Sequence, residues 1–228
     1  MRRFSFYFIG TPIGNLEDLS MRAVSILGEV DTLWAEDTRK TRTLLQRYGI
    51  EVPVRSFHDH NKERVTPGIV EGLAGGGTGA LVSDAGMPGI SDPGYYLVNR
   101  LIEEGIGFTV IPGPSAVTTA LVLSGLPSDR FEFLGYLPRK RGALEKALEE
   151  AGASAGTSIF FESPHRIGKT LEAAARVLGG REIAVAREMT KLHEEVIRGS
   201  AGEIIDRLGE RKIRGEITLL VRGKGRKD

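Results

Sequence analysis

Two carboxylates, three glycines and two prolines fall within the twelve residues Ser83-Asp84-Ala85-Gly86-Met87-Pro88-Gly89-Ile90-Ser91-Asp92-Pro93-Gly94. Glycine admits positive φ and lets a ligand approach the main chain. Proline fixes φ and donates no hydrogen bond. The segment follows the apolar run Gly79-Ala80-Leu81-Val82, which reads as a buried strand, and precedes a helical stretch from Tyr95 to Glu104. So constrained a turn between strand and helix reads as a shaped ligand wall, because open α/β sheets bind ligands at the carboxyl ends of their strands. Asp84 within it suits an amine or a sulfonium.

Four further polar or Gly/Pro-rich segments follow strand-like runs: Thr11-Pro12-Ile13-Gly14-Asn15, Glu36-Asp37-Thr38-Arg39, His58-Asp59-His60-Asn61 and Pro112-Gly113-Pro114-Ser115. Each is weak alone; together with the central segment they place five rich loops on the ligand edge of a parallel sheet. Glu36, Asp37, His58 and His60 are candidate bases, with Arg39 to hold a phosphate or steady a developing alkoxide. Glu36–Arg39 reads equally as a helix-capping ion pair, His58 and His60 as polar loop residues, and Asp92 before Pro93 as a turn former. Trp34 and Tyr48 read as packing residues.

The ligand classes narrow by what the loops lack. The first turn, Gly10-Thr11-Pro12-Ile13-Gly14, is not G-x-G-x-x-G, and its helix starts only near Ser20, so a pyrophosphate would find no helix N-terminus. No G-x-x-x-x-G-K-[ST] occurs, which disfavours nucleotide phosphates and an NAD-dependent oxidoreductase. The chain has no cysteine, which removes disulfides, thiolate metal sites and cysteine nucleophiles and is compatible with a reducing, cytoplasmic setting. The histidines at 58, 60, 165 and 193 form no recognisable ligand set, so no metal site is expected.

The elements that must position these loops alternate regularly. Strands read at Phe4–Ile9, Thr32–Ala35, Pro53–Phe57, Ala80–Ser83 and Phe108–Ile111, with helices at 20–29, 39–48, 62–74, 94–104 and from Ser115 to Ser124. Ser20 and Ser115 read as N-caps. This βα alternation predicts a parallel-rich sheet with helices on both faces. After Gly125-Leu126-Pro127-Ser128 come strands at Phe131–Gly135, Ser158–Phe161, Ile183–Arg187, Glu195–Arg198 and Glu216–Arg222, and helices at 139–151, 166–178 and 201–209. The Ile183 and Glu195 strands read as an antiparallel hairpin. The expectation is an α/β protein of two domains, 1–115 and 116–228, with a mixed sheet in the second and a short hinge near 115–128.

The 228 residues are 40% hydrophobic and 27% charged, ordinary for a globular protein. No apolar run approaches the roughly 20 residues of a membrane helix, and the start at Met1-Arg2-Arg3 with its aromatic strand imitates a signal peptide only faintly. Net charge is +1, divided as −3 over 1–115 (11 Lys+Arg, 14 Asp+Glu) and +4 over 116–228 (20 Lys+Arg, 16 Asp+Glu). The excess gathers in Arg139-Lys140-Arg141 and in Arg222, Lys224, Arg226 and Lys227, which suit phosphates or a solvated face.

Gly10-Thr11-Pro12-Ile13-Gly14-Asn15-Leu16, Ala35-Glu36-Asp37-Thr38-Arg39, the whole Ser83–Gly94 segment, Pro112-Gly113-Pro114-Ser115-Ala116 and Phe161-Glu162-Ser163-Pro164-His165-Arg166 together resemble the ribosomal RNA small subunit methyltransferase I family, within the tetrapyrrole methylase superfamily. The resemblance runs from the first strand to Gly215–Val221. It implies the two-domain tetrapyrrole-methylase-like fold, S-adenosylmethionine (SAM) in a cleft between the domains, and a homodimer. It implies 2′-O-ribose methylation of a cytidine in the decoding region of 16S rRNA. By motif it assigns cofactor contacts to Ile13, Asp84, Met87, Ser115 and Ala116, and by strand order to Phe161, Ala186, Arg187 and Ile217. The superfamily's usual Gly-Asp-Pro is Ser83-Asp84-Ala85 here, which keeps the carboxylate.

A protonated ribose 2′-OH is a poor nucleophile, so a positioned base or a polarising cation is expected. The candidates remain Glu36, Asp37, Arg39 and His58, with Glu162 and Lys191 as groups of the second half. Arg39, Lys40, Arg42, Arg139, Lys140, Arg141 and Arg166 are expected to grip RNA. With modest net charge and no dedicated RNA module, the expected substrate is the assembled small ribosomal subunit. Two alternatives stay open: a SAM-dependent methylase acting on a tetrapyrrole or a protein side chain, and a non-catalytic ribosome-assembly factor.

Overall fold

The computed structural model describes residues 4–209 and 211–225. Met1–Arg3, Arg226 and Lys227 lie outside them. The chain divides into two compact units, Met1–Ser115 and Ala116–Asp228.

The first unit is a five-stranded sheet in the order β3-β2-β4-β1-β5, built from β1 (Phe6–Ile9), β2 (Thr32–Ala35), β3 (Val54–Ser56), β4 (Gly79–Val82) and β5 (Phe108–Ile111). Every pairing is parallel. The inner strands β1, β2 and β4 are covered on both faces, which is why they read as continuous apolar runs, whereas the edge strands β3 and β5 are largely uncovered. Tyr7, Ile9, Leu33, Ala35, Ala80 and Val82 point to one face, against α1 (Met21–Leu27) and α2 (Thr38–Tyr48). Phe6, Phe8, Trp34 and Leu81 point to the other, against α3 (Lys62–Ala74) and α4 (Gly94–Glu103). Trp34 is 7% exposed, a core residue. Gly79 makes room for it, since a Cβ there would lie 2.5 Å from its ring.

Local chemistry sets the helix ends. The Ser20 hydroxyl accepts the Ala23 amide (3.1 Å) and caps α1. Asp37 caps α2 by accepting the Arg39 amide (2.9 Å). Gly49, at φ 63°, ends α2 in the left-handed conformation that glycine adopts without a Cβ penalty.

The second unit opens with α5 (Ala116–Ser124), so most of the stretch read as a hinge is a helix. It packs on β8, β9 and β10. The sheet order is β6-β7-β10-β8-β9, from β6 (Phe131–Tyr136), β7 (Thr157–Glu162), β8 (Ile183–Arg187), β9 (Glu195–Gly199) and β10 (Ile217–Arg222). β6 and β7 are parallel and the remaining pairs antiparallel, so the sheet is mixed; β8 and β9 form the expected antiparallel pair. The opposite face carries Phe160, Val185, Ile197, Leu219 and Val221, buried under α6 (Arg141–Ala153), α7 (Ile167–Leu178) and α8 (Ala201–Leu208). No helix among the described residues is long and apolar enough to cross a membrane.

Candidate functional site

Five parallel strands share one direction, so their carboxyl ends share one edge. The strand order sets which loops touch. β4 lies between β2 and β1, which places the Ser83–Gly94 loop beside both the Glu36 loop and the Thr11 loop.

On the β1 side the contact is main chain. Thr11 and Gly86 exchange amide hydrogen bonds (2.9 and 3.1 Å), and the buried Thr11 hydroxyl donates to the Ser83 carbonyl (3.2 Å). Gly86, at φ 81°, turns the chain away. Gly10 and Gly113 then approach so closely that a Cβ on Gly10 would lie 2.7 Å from Gly113 Cα and 2.6 Å from Met87 Sδ. The Gly113 amide points at the Met87 thioether (3.3 Å). Bare main chain, a flexible thioether and the buried Ile13 (7% exposed) therefore meet at the β1–β5 end.

On the β2 side the contact is ionic. Asp84 Oδ1 accepts the Asp37 amide (2.8 Å) and Oδ2 accepts Lys40 Nζ (2.6 Å). Basic residues in the first turn of a helix oppose its dipole, and α2 begins with Arg39 and Lys40 and no acidic residue in that turn. Asp37 and Asp84 compensate. Arg39 forks onto both oxygens of Asp37 (3.2 and 2.9 Å), and chiefly this side-chain bond, with the Arg39 amide, holds the Asp37 carboxyl down at about 2.

Glu36 is exposed and has no hydrogen-bond partner among the described residues. Desolvation first, then repulsion from Asp84, Asp92 and Asp59 against a partial offset by Lys40, raises its pKa. Asp92 is a turn residue: its Oδ1 accepts the Gly89 and Gly94 amides (2.6 and 2.7 Å), while Oδ2 is buried with no hydrogen-bond partner among the described residues. Burial raises its pKa against those two amide bonds. His58 stands at the β3 end, its amide bonded to the Asn61 carboxamide oxygen (2.8 Å), its Nδ1 buried with no hydrogen-bond partner among the described residues and its ring 6.0 Å from that of His60. Ser115 is half-buried at the end of the β5 loop. Arg42 is exposed on α2.

In the second unit, strand register gathers the remaining assigned residues at one end of the sheet. Thr218 pairs with both Phe161 and Ala186, and Ile217 pairs with Glu162 and Arg187. Ala186 is fully buried and Ile217 belongs to the helix-covered core, so any ligand there would meet Phe161, which is partly exposed, and main chain. Ala116, the first residue of α5, is half-buried.

Several charged groups at this end are engaged in holding the fold. Glu162 is buried; its oxygens accept the Ser163 amide and the Thr170 hydroxyl (both 2.7 Å), with Arg166 at 3.5 Å. Arg166 donates to the Leu137 and Pro138 carbonyls (3.1 and 2.8 Å). Lys191 binds Glu188 and Glu216 (2.9 and 3.0 Å), Arg187 binds Glu195 (2.7 Å), and Arg141 binds Glu145 (3.2 Å). Arg139 and Lys140 are exposed. No residue pattern signalled the turn after β8, where the non-glycine residues Glu188 and Thr190 hold φ of 50° and 65°. Among the described residues no group of three or more His, Asp or Glu is disposed to hold a metal ion.

Residues 5–205 match the model of the tetrapyrrole (corrin/porphyrin) methylases. The chain is 47% identical over 223 residues to a "Ribosomal RNA small subunit methyltransferase I" of Halalkalibacterium halodurans, covering 98% of this chain and 77% of that protein. It is also 47% identical over 218 residues to a Thermotoga maritima protein of the same name, covering 95% and 97%. A solved structure of uroporphyrin-III-C-methyltransferase from Thermus thermophilus superposes with a TM-score of 0.63 at 21% identity, over 97% of this chain and 95% of that one.

Proposed function

From a chain that belongs to the tetrapyrrole methylase family, in its ribosomal RNA small subunit methyltransferase I branch, we propose an enzyme that moves the methyl group of SAM to the ribose 2′-oxygen of a cytidine in the decoding region of 16S rRNA, acting on the assembled small subunit. Near-half identity along almost the whole chain supports the ribosomal substrate, and one local observation supports the chemistry: Asp84 lies between the Glu36 loop and the glycine-lined β1–β5 end.

The residues fit a nucleoside carrying a cation. Asp84 offers a carboxylate whose unused lone pairs can take an amine or face a sulfonium. Gly10 is buried and packs main chain to main chain against the half-buried Gly113, where a side chain on either would collide, and the half-buried Met87 and the buried Ile13 supply apolar surface. Ser115 and Ala116 complete the set assigned by motif, and Phe161, Ala186, Arg187 and Ile217 belong to the same proposal. SAM, when bound, supplies a methyl group activated on sulfur.

The chain itself must orient the ribose and take its proton. Orientation contributes up to about 7–11 kcal/mol, and a positioned base roughly 10²–10⁴-fold. Glu36 is the base in this reading. It has no hydrogen-bond partner among the described residues to compete for its lone pairs, and desolvation first, then its acidic neighbours, raise its proton affinity. Arg39, 87% exposed at its side chain, reaches a substrate phosphate or the developing alkoxide while Asp37 fixes its guanidinium. Asp37 is already committed to Arg39 and the start of α2, and its low pKa makes it a poor base. His58 remains a candidate for substrate contact. Arg42, Arg139 and Lys140 are the RNA-facing cations of the proposal, with Lys40, Arg141 and Arg166, which belong to the same set, bound to Asp84, to Glu145 and to main-chain carbonyls respectively. A homodimer and a cytoplasmic site of action complete it.

The test is transfer of labelled methyl from SAM to unmodified small subunits, to protein-free 16S rRNA, and to tetrapyrrole and protein substrates, with the modified nucleotide mapped. Incorporation into a decoding-region cytidine of subunits, well above that into free rRNA, is the expected result. Equal labelling of free rRNA removes the particle requirement, and labelling only of a non-RNA substrate removes the ribosomal assignment.

A further inference from the structure

The second unit carries a cavity of about 530 Å³ whose lining includes Asp129, Arg130, Arg222, Lys224 and the glycines Gly156 and Gly223. It lies where β7 begins at Thr157 and β10 ends at Arg222. Glu162 and Ile217 stand at the other end of those strands, about 17 Å away at the usual rise per residue. The cavity is thus separate from the residues of this unit assigned to the cofactor.

Its walls are built by close main-chain approach. Lys224 and Gly223 donate amide bonds to the Ser154 and Gly156 carbonyls (2.8 and 3.1 Å), and Thr157 donates to the Arg130 carbonyl (2.9 Å). A Cβ on Gly156 would strike the Arg130 carbonyl, and one on Gly223 the Ser154 and Gly156 carbonyls. Glycine is therefore required at both positions, and the hollow is held by backbone rather than by mobile side chains.

Among the described residues three cations line it against one carboxylate. Arg222 shares its charge with Glu182 (3.2 Å) and accepts an Arg181 guanidinium bond at its carbonyl (3.3 Å). Arg130 and Lys224 are exposed and form no ion pair among the described residues. Such a lining attracts anions. No aromatic side chain among the described residues contributes to it, so they offer a base nothing to stack on, and a phosphate is the group they suit.

We infer that this cavity is a second anchoring site for the RNA phosphodiester backbone, remote from the methyl-transfer end. The inference rests on the ribosomal RNA reading above. Phosphate contacts fix register and orientation without reading sequence. A grip at the far end of the sheet would enlarge the footprint on a structured particle, in keeping with a chain whose net charge is only +1.

The experiment measures the salt dependence of small-subunit binding for the wild type, for Arg130→Ala/Lys224→Ala and for the charge-keeping pair Arg130→Lys/Lys224→Arg, with SAM affinity as the control for folding. Each lost phosphate contact lowers the slope of log K against log salt by about 0.7–0.9. The alanine pair is therefore expected to lower it by about 1.4–1.8, to raise Kd and KM several-fold and to keep wild-type SAM affinity, while the charge-keeping pair restores the slope. An unchanged slope in the alanine pair overturns the inference while leaving the enzyme reading intact. Wild-type protein that binds no subunits overturns both. In a second arm inorganic phosphate alone is titrated; variant-sensitive phosphate binding with an unchanged subunit slope assigns the cavity to a small free anion and overturns the RNA assignment.

Discussion

Lys40 Nζ lies 2.6 Å from Asp84 Oδ2, joining the first turn of α2 to the loop after β4. The same carboxylate takes the Asp37 amide on its other oxygen. Asp84 thus orders the Glu36–Arg39 segment and also presents negative charge at the sheet edge. Its side chain is 27% exposed and that of Lys40 64%, so the ion pair contributes little to stability, and its value lies in positioning.

Replacing Asp84 separates the two roles. Asp84→Asn keeps an acceptor for the Asp37 amide and loses the charge; Asp84→Ala loses both. Both variants are expected to weaken SAM binding by tenfold or more in calorimetry. Only the alanine variant is expected to lose stability, by about 1 kcal/mol, the usual net worth of one hydrogen bond. Wild-type SAM affinity in Asp84→Asn would remove the carboxylate from the cofactor site.

Glu36 should show opposite signs in activity and stability. Its folded pKa is raised above 4.5, so between 4.5 and that raised value the folded state binds more protons than the unfolded one. Stability then falls as pH rises through that window, and above it the ionised group keeps a standing cost. Glu36→Gln removes the cost. We expect a Tm slightly above wild type at pH 7, unchanged at pH 3, with kcat lower by roughly 10²–10⁴-fold and the acid limb of the wild-type rate profile abolished. A variant retaining full kcat would identify a different base. The trade of stability for function is usual at active sites.

How far the sequence reached follows from which features are local. β2 and β8 stand where Thr32–Ala35 and Ile183–Arg187 read as strands, because a strand buried on both faces leaves an uninterrupted apolar run; the edge strand β5 stands at Phe108–Ile111 through its aromatic and β-branched residues instead. The shared edge of the five loops follows from parallel pairing alone. The Lys40–Asp84 pair was out of reach: the residues are 44 apart and meet only because β4 inserts between β2 and β1. The carbonyls of Leu137 and Pro138 that the Arg166 guanidinium meets lie 29 and 28 residues away in sequence, and its charge pattern gives no sign of them. Glu162 read as an approachable base because nothing in its neighbours announces a buried carboxylate bonded to Thr170. Positive φ at Glu188 and Thr190 left no sign, since glycine is the residue that would advertise it.

Glu162 is accordingly expected to behave as a structural residue. Its side chain is fully buried, and truncation leaves the Thr170 hydroxyl and the Ser163 amide unpaired beside Arg166. Glu162→Ala is expected to cost about 2–3 kcal/mol in urea unfolding, and Glu162→Gln, which keeps an acceptor for Thr170, clearly less. Equal stability of both variants and wild type would mean that the Thr170 and Ser163 bonds carry no net energy.

Gly10 provides the most direct steric test of the glycine-lined end. A methyl group there would lie 2.7 Å from Gly113 Cα and 2.6 Å from Met87 Sδ. The thioether can rotate away; the Gly113 main chain cannot move without disturbing β1–β5 pairing, in which Ile9 is paired with Ile111. Gly10→Ala is therefore expected to cost about 1–3 kcal/mol, the range for overpacked interiors. The double variant Gly10→Ala/Met87→Ala is expected to recover little of that cost, because backbone limits the space. Substantial recovery of Tm in the double variant would show instead that Met87 is the obstacle and that the Gly10–Gly113 approach can relax. SAM titration of Gly10→Ala below its Tm then reads the functional consequence: an affinity loss larger than that caused by Met87→Ala alone places the bare main chain of Gly10 and Gly113 against the ligand.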